Sequence, residues 1–116
     1  MAAERDSRVS QFRKGALELV ILALLDSGEL YGVEIVDRLG EHAGLEASAG
    51  TVYPLLSRLK KAGSVETTWR ESPVGPPRKY YRLSAQGKGE LAEMSASWRD
   101  LSETVERLLT RAEGDD

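Results

Sequence analysis

The sequence has no cysteine and only one histidine. The first absence excludes a disulfide framework and any thiolate metal site. The second leaves His42, between Glu41 and Ala43 at what reads as a helix end, without a partner ligand, so it is expected on the surface and no metal or cofactor is expected. No glycine-rich phosphate loop, paired metal motif or base-partnered nucleophile is present, which argues against an enzyme. Long apolar runs are missing too. The longest, residues 19–25, is far short of the roughly 20 residues that span a bilayer. The first ten residues are charged and lack the apolar core of a signal peptide. A cytoplasmic protein with no membrane partner is expected. At 116 residues the chain is one small domain that a partner would help to bury.

The formal charge of -3 argues against a polyanion partner until it is divided along the chain. Residues 51–90 hold 8 Lys and Arg against 3 Asp and Glu, a balance of +5, and the acidic excess lies on either side. Local field, not total charge, is what a phosphate backbone feels within a Debye length.

That basic segment opens with Gly-Thr-Val-Tyr-Pro-Leu-Leu-Ser-Arg-Leu-Lys-Lys-Ala-Gly, residues 50–63. Val52, Leu55, Leu56, Leu59 and Ala62 recur at helical spacing, while Thr51, Tyr53, Pro54, Ser57, Arg58 and Lys61 fall on the opposite side. One face packs; the other carries hydroxyls, an aromatic and cations, the chemistry that suits phosphates and base edges. It reads as a DNA-recognition helix, against the plainer reading of an amphipathic helix with a solvated face. Ser48 is a fitting N-cap, with Gly50 four residues before Pro54. A start at Ser48 or at Thr51 fits equally, the latter placing Pro54 in the first turn.

Upstream, Leu17, Val20, Ile21, Leu24 and Leu25, joined by Ala16 and Ala23, predict a first helix that Asp26-Ser27-Gly28 stops. Phe12, Arg13 and Lys14 stand near its start, where the cations serve phosphate contact or simply solubility. After Leu30-Tyr31-Gly32 a short second helix runs from Val33 to about Glu41, with Val33, Val36, Ile35 and Leu39 turned inward, followed by a loop over residues 41–47 anchored by Leu45. Downstream, residues 64–71 alternate Val65, Thr67, Trp69 against Glu66, Thr68, Arg70, and residues 78–83 alternate Lys79, Tyr81, Leu83 against Arg78, Tyr80, Arg82. Period two predicts two hairpin strands around a proline-rich turn. Three helices and a ribbon are the order of a winged helix-turn-helix, in which the third helix enters a major groove and Arg78 and Lys79 of the wing reach the flanking backbone or minor groove.

Leu30-Tyr31-Gly32, Gly50-Thr51-Val52-Tyr53-Pro54-Leu55-Leu56, Arg58-Leu59, Gly63, Arg78-Lys79-Tyr80-Tyr81-Arg82-Leu83 and Gly87, in this order, resemble the signature of the PadR family of bacterial transcriptional regulators. The resemblance covers residues 15–87. It implies a winged-helix homodimer that binds a double-stranded inverted-repeat operator, usually as a repressor, and is released by a small aromatic or phenolic effector or a drug. Carried over by position, it places Thr51, Tyr53, Pro54 and Arg58 at the DNA surface and Arg78 and Lys79 in the wing. Ala85 departs from the pattern, standing where the family commonly has proline.

Gly87, Leu91, Met94, Trp98, Leu101, Val105, Leu108 and Ala112 recur at alternating steps of four and three, a heptad seam. Such a helix, roughly 40 Å long at 1.5 Å per residue, outruns what a domain of this size covers, so a homodimer is expected independently of the resemblance. Two-fold symmetry then sets the recognition helices about 34 Å apart, facing a palindrome. Met94 and Trp98 would wall an effector pocket at the seam, unless Trp98 simply fills the dimer core.

The expected architecture is mainly α, an α+β winged helix-turn-helix domain over residues 12–83 with a long C-terminal dimerisation helix over residues 84–113, between a flexible arm (1–11) and a disordered tail (114–116). The expected DNA contacts are Ser48, Gly50, Thr51, Tyr53, Pro54, Ser57, Arg58, Lys61, Arg78 and Lys79; the expected dimer interface is Leu91, Met94, Trp98, Leu101, Val105 and Leu108. The rival reading is a winged-helix protein-interaction module without specific DNA binding, which the acidic total and the acidic ends favour.

Overall fold

Leu17, Ile21, Leu22 and Leu25 form the buried face of α1 (Ala2–Asp26) in a computed structural model that describes residues 2–114, with side chains from Phe12 onward. Leu22 joins the core although it lies off the predicted stripe, and Ala23 faces solvent. The helix starts far earlier than its apolar stripe. The arm expected over residues 1–11 is helical from Ala2, because Ala2, Ala3, Glu4 and Arg5 are strong helix formers. Gly15, costing about 0.5–1 kcal/mol against alanine in a helix interior, does not interrupt it.

Leu30–Tyr31 forms a short strand, β1, ahead of α2 (Gly32–Gly40). It pairs antiparallel with β3 (Arg78–Leu83), Leu30 opposite Tyr81 and Tyr31 opposite Tyr80. β3 also pairs with β2 (Val65–Arg70), giving a three-stranded sheet of order β1-β3-β2. Ile35 and Leu39 carry the buried face of α2. Val33 does not turn inward but is 53% exposed, because two residues on a helix rotate it about 200° away from Ile35. The Glu34 carboxylate accepts the Tyr31 N–H at 3.1 Å and closes the first turn.

The third helix, α3, spans Ala49–Ala62, which settles where it begins. Ser48 caps it through its backbone carbonyl, which accepts the N–H groups of Thr51 and Val52 at 3.0 Å each. Its hydroxyl makes no cap bond and lies 3.4 Å from Thr51 Oγ1. Pro54 therefore sits beyond the first turn, where it leaves the Gly50 carbonyl without its helical donor. Val52, Leu55, Leu56 and Leu59 are buried as the spacing predicts, whereas Ala62 is exposed. Gly63 ends the helix in the left-handed region at φ 86°.

Side-chain hydrogen bonds tie the end of α3 to the start of α4 (Ala85–Gly114). The Ser84 hydroxyl accepts the Gly87 N–H at 3.0 Å, capping α4, and donates back to the carbonyls of Gly63 and Ser64. Gln86 Nε2 reaches the Ala62 carbonyl at 2.8 Å, and the Ser64 hydroxyl donates to the Glu90 carboxylate. Gly87 lies so close to the Ser64 carbonyl that a Cβ there would overlap it. With Ser84 supplying the cap, Ala85 at the first helical position needs no proline. These bonds hold the Glu90 carboxyl below the usual carboxylate range, the Ser64 donor first and Gln86 second. The helix then runs past the domain to Gly114, so the first residue of the expected 114–116 tail is helical; Asp115 and Asp116 lie outside the described residues.

Candidate nucleic-acid interface

Every side chain expected on the outer face of α3 is exposed: Thr51, Tyr53, Pro54, Ser57, Arg58 and Lys61, with Ser48 and Gly50 at its start. Thr51, Pro54, Arg58 and Lys61 follow at steps of three, four and three, which align them along one side. Lys60, which the helical spacing did not single out, is exposed beside them and, with Lys61, stands in the last turn where cations favour the helix dipole. Among the described residues, Arg58, Lys60 and Lys61 form no ion pair. This face is therefore a cationic surface whose charges are not neutralised from within.

Tyr53 is placed by a residue with no side chain. Its ring lies where a Cβ on Gly32 would come within 2.9 Å, so the bare backbone at the start of α2 is the seat of the ring. Across the ring stands Tyr81, whose phenol is raised above its ordinary value by burial first and by Tyr53 second.

The wing cations are held over aromatic faces. The Arg78 guanidinium sits 4.5 Å from the centre of the Tyr31 ring, and Lys79 Nζ 5.7 Å from that of Tyr81. Arg70 pairs with Glu29 at 2.5 Å and lies 5.5 Å from the Tyr80 ring. It stands opposite Arg78 in the ladder, and Glu29 offsets the like charges. Arg78 and Lys79 begin β3, at the base of the 71–77 turn rather than at its apex.

A groove beside α3 escapes sequence reasoning. Period two puts Trp69 on the same face as Val65, and the register bears out that alternation, with Val65 opposite Leu83 and Trp69 opposite Lys79. Val65 and Leu83 are buried, but the sheet outruns the core, and Trp69 is left 66% exposed. Together with Tyr31, Gly32, Val33, Tyr53, Arg78, Lys79 and Tyr81 it lines a hollow of about 270 Å³ between α2, α3 and the wing. The signal available in the sequence was an aromatic placed two same-face positions beyond Val65, the core residue of β2.

The residues expected at the dimer seam divide into two groups. Leu91 and Met94 are half-buried and pack on this chain's own core. Trp98, Leu101, Val105 and Leu108 are exposed, together with Leu109, which lies off the heptad seam. Met94 and Trp98 line a common groove of about 390 Å³ with Gly15, Leu19, Glu93, Ser97 and Leu101. Trp98 also borders Phe12, Ala16, Val20 and Leu45 on another side. His42 is exposed, as expected, and lies near Trp98. Among the described residues no cluster of metal-ligating side chains occurs, and no helix is long and apolar enough to cross a membrane.

This arrangement of helices, three-stranded sheet and long terminal helix matches known proteins. The profile of the transcriptional regulator PadR-like family fits residues 21–93. The chain belongs to the PadR-like family of transcriptional regulators. Its fold is the winged helix with a long C-terminal helix, and the family is one of regulators rather than enzymes. A PadR family transcriptional regulator from Eggerthella lenta superposes with a TM-score of 0.83 at 35% identity, over 94% of this chain and 97% of that one. The Mycobacterium tuberculosis transcriptional regulator Rv3488 is 30% identical over 95 residues, 82% of this chain and 87% of its own. Bacillus subtilis PadR, solved in complex with operator DNA, superposes with a TM-score of 0.63 at 31% identity, over 68% of this chain and 45% of that one.

Proposed function

We propose that this protein is a sequence-specific DNA-binding regulator of transcription, a cytoplasmic repressor that grips a palindromic operator as a homodimer. The observation that carries the reading is the exposed outer face of α3, where Thr51, Tyr53, Ser57, Arg58 and Lys61 present hydroxyls and cations that form no ion pair among the described residues. Hydroxyls and a phenol donate to phosphate oxygens or base edges, and Arg58 suits a guanine edge or a phosphate. Arg78 and Lys79 extend the positive surface to the wing. The operator complex of the related Bacillus subtilis protein supports the same use of the fold here. Two copies joined along the bare apolar strip of α4 would present two such faces to one duplex. A small aromatic or phenolic effector seated by Met94 and Trp98 would alter the spacing of the two faces and release the operator.

The test is a titration of the DNA upstream of the protein's own gene, with a shuffled duplex as control, across a range of salt. The wild type should prefer the native duplex. Arg58→Ala and Lys61→Ala should each lower affinity and reduce the log-log salt slope by about 0.9 for every phosphate that is no longer neutralised. Equal weak binding to both duplexes would instead favour a protein-interaction module.

A further inference from the structure

We infer that the hollow between α2, α3 and the wing is a second, apolar grip on the same duplex: Trp69 and Tyr53 close on a deoxyribose of the DNA backbone while Lys79 and Arg78 take the adjoining phosphates. The inference rests on the DNA-binding reading above and adds to it a site and a residue, Trp69, that neither the helical face of α3 nor the distribution of charge supplies.

Trp69 is the only tryptophan on the sheet, and two-thirds of it is exposed although it occupies the face that buries Val65 and Leu83 further along. A large indole left uncovered on the inward face of a strand is costly unless a partner covers it. Three groups surround the space in front of it. Val33, 53% exposed, stands on α2; Tyr53, 41% exposed, stands on α3; Tyr81 forms the floor. The walls are apolar and the rim is cationic, with Lys79 directly opposite Trp69 in the ladder and Arg78, on the other face of β3 and over the Tyr31 ring, bordering the hollow at its Tyr31 edge. A phosphate would be poorly placed against such walls, whereas a sugar ring has apolar faces and carries a phosphate at each end. The backbone of a duplex presents that alternation, and Tyr53 makes the hollow continuous with the α3 face.

A grip on sugar carries no sequence information, so its removal should weaken binding to every duplex alike. Trp69→Ala should lower affinity for the native and the shuffled duplex by a similar factor, on the order of tenfold, with the salt slope unchanged. Lys79→Ala should reduce the slope. Trp69→Phe, which keeps an aromatic plane, should recover most of the loss. Because Trp69 is exposed, thermal unfolding of these variants should match the wild type. The direct readout is tryptophan fluorescence with acrylamide as quencher. Duplex should protect part of the wild-type emission, and that protected part should be missing from Trp69→Phe, which retains Trp98.

If the wild type prefers its native duplex yet Trp69→Ala binds as well as it does, with no protected emission, the sugar grip is refuted and the DNA-binding reading stands. A wild type that binds no duplex refutes both. Protection of Trp69 by a small aromatic acid, with none by duplex, would assign the hollow to a small ligand and also refute the grip. Unequal losses on the two duplexes would mean that Trp69 reads bases, contrary to this proposal.

Discussion

Tyr53 owes its position to Gly32, whose missing side chain leaves room for the ring. Gly32→Ala should therefore act at a distance. The new methyl meets the edge of the ring, a flexible side chain rather than backbone, so the ring swings aside while the fold persists. The expected outcome is a loss of DNA affinity of several-fold with a melting temperature within a few degrees of the wild type. A double variant with Tyr53→Ala should show no further loss from the glycine change, and additive losses would dissociate the two residues. Gly87 makes the opposite case. There the obstacle is the Ser64 carbonyl, which cannot rotate away, so Gly87→Ala should destabilise the whole domain by about 1–3 kcal/mol in denaturant unfolding.

At the scale of elements, what the sequence made legible was what repeats. The buried face of α3 followed from period and agrees with the structure save for Ala62, and the two strands read from period two are present, with Val65 and Leu83 buried and Trp69 lying where the sheet continues past the core. Two-residue β1 has no period to read, and α1 extends upstream through residues that carry no apolar stripe at all. The α3 face was legible because exposed hydroxyls and cations at helical spacing are themselves a pattern. The hollow was not, since its walls come from five elements brought together only by folding. The joint between α3 and α4 was equally hidden, because Ser64, Ser84, Gln86 and Glu90 are ordinary polar residues until the chain turns back on itself. Its contribution should be visible in acid. Glu90 titrates below its ordinary value, so the stability it lends is present above the unfolded-state pKa and fades as pH falls through the folded one. Glu90→Gln should thus be less stable than the wild type near neutrality, and the gap should close below the ordinary carboxylate range; a gap that persists at low pH would exclude an ionic origin.

The whole molecule measures 60 × 35 × 21 Å, long for 116 residues because α4 projects beyond the domain it is anchored to. From Trp98 onward it presents Trp98, Leu101, Val105, Leu108 and Leu109 to solvent. Leu101→Lys together with Leu108→Lys should leave the winged domain folded, since both side chains are exposed and neither packs on its core. Under the proposed pairing, sedimentation should find a single subunit for this variant and a pair for the wild type. Operator affinity should fall by a hundredfold or more as simultaneous engagement of the half-sites is lost. A double variant that still sediments as a pair would move the interface elsewhere.

The uncovered end of α4 also bears on dosage. A reader of DNA assembled from two such chains has a concentration that varies, when dilute, as the square of the number of chains made. Occupancy of the promoter would then respond more steeply than expression does, and for the repressor proposed above a modest drop in synthesis would lift repression without any inducer.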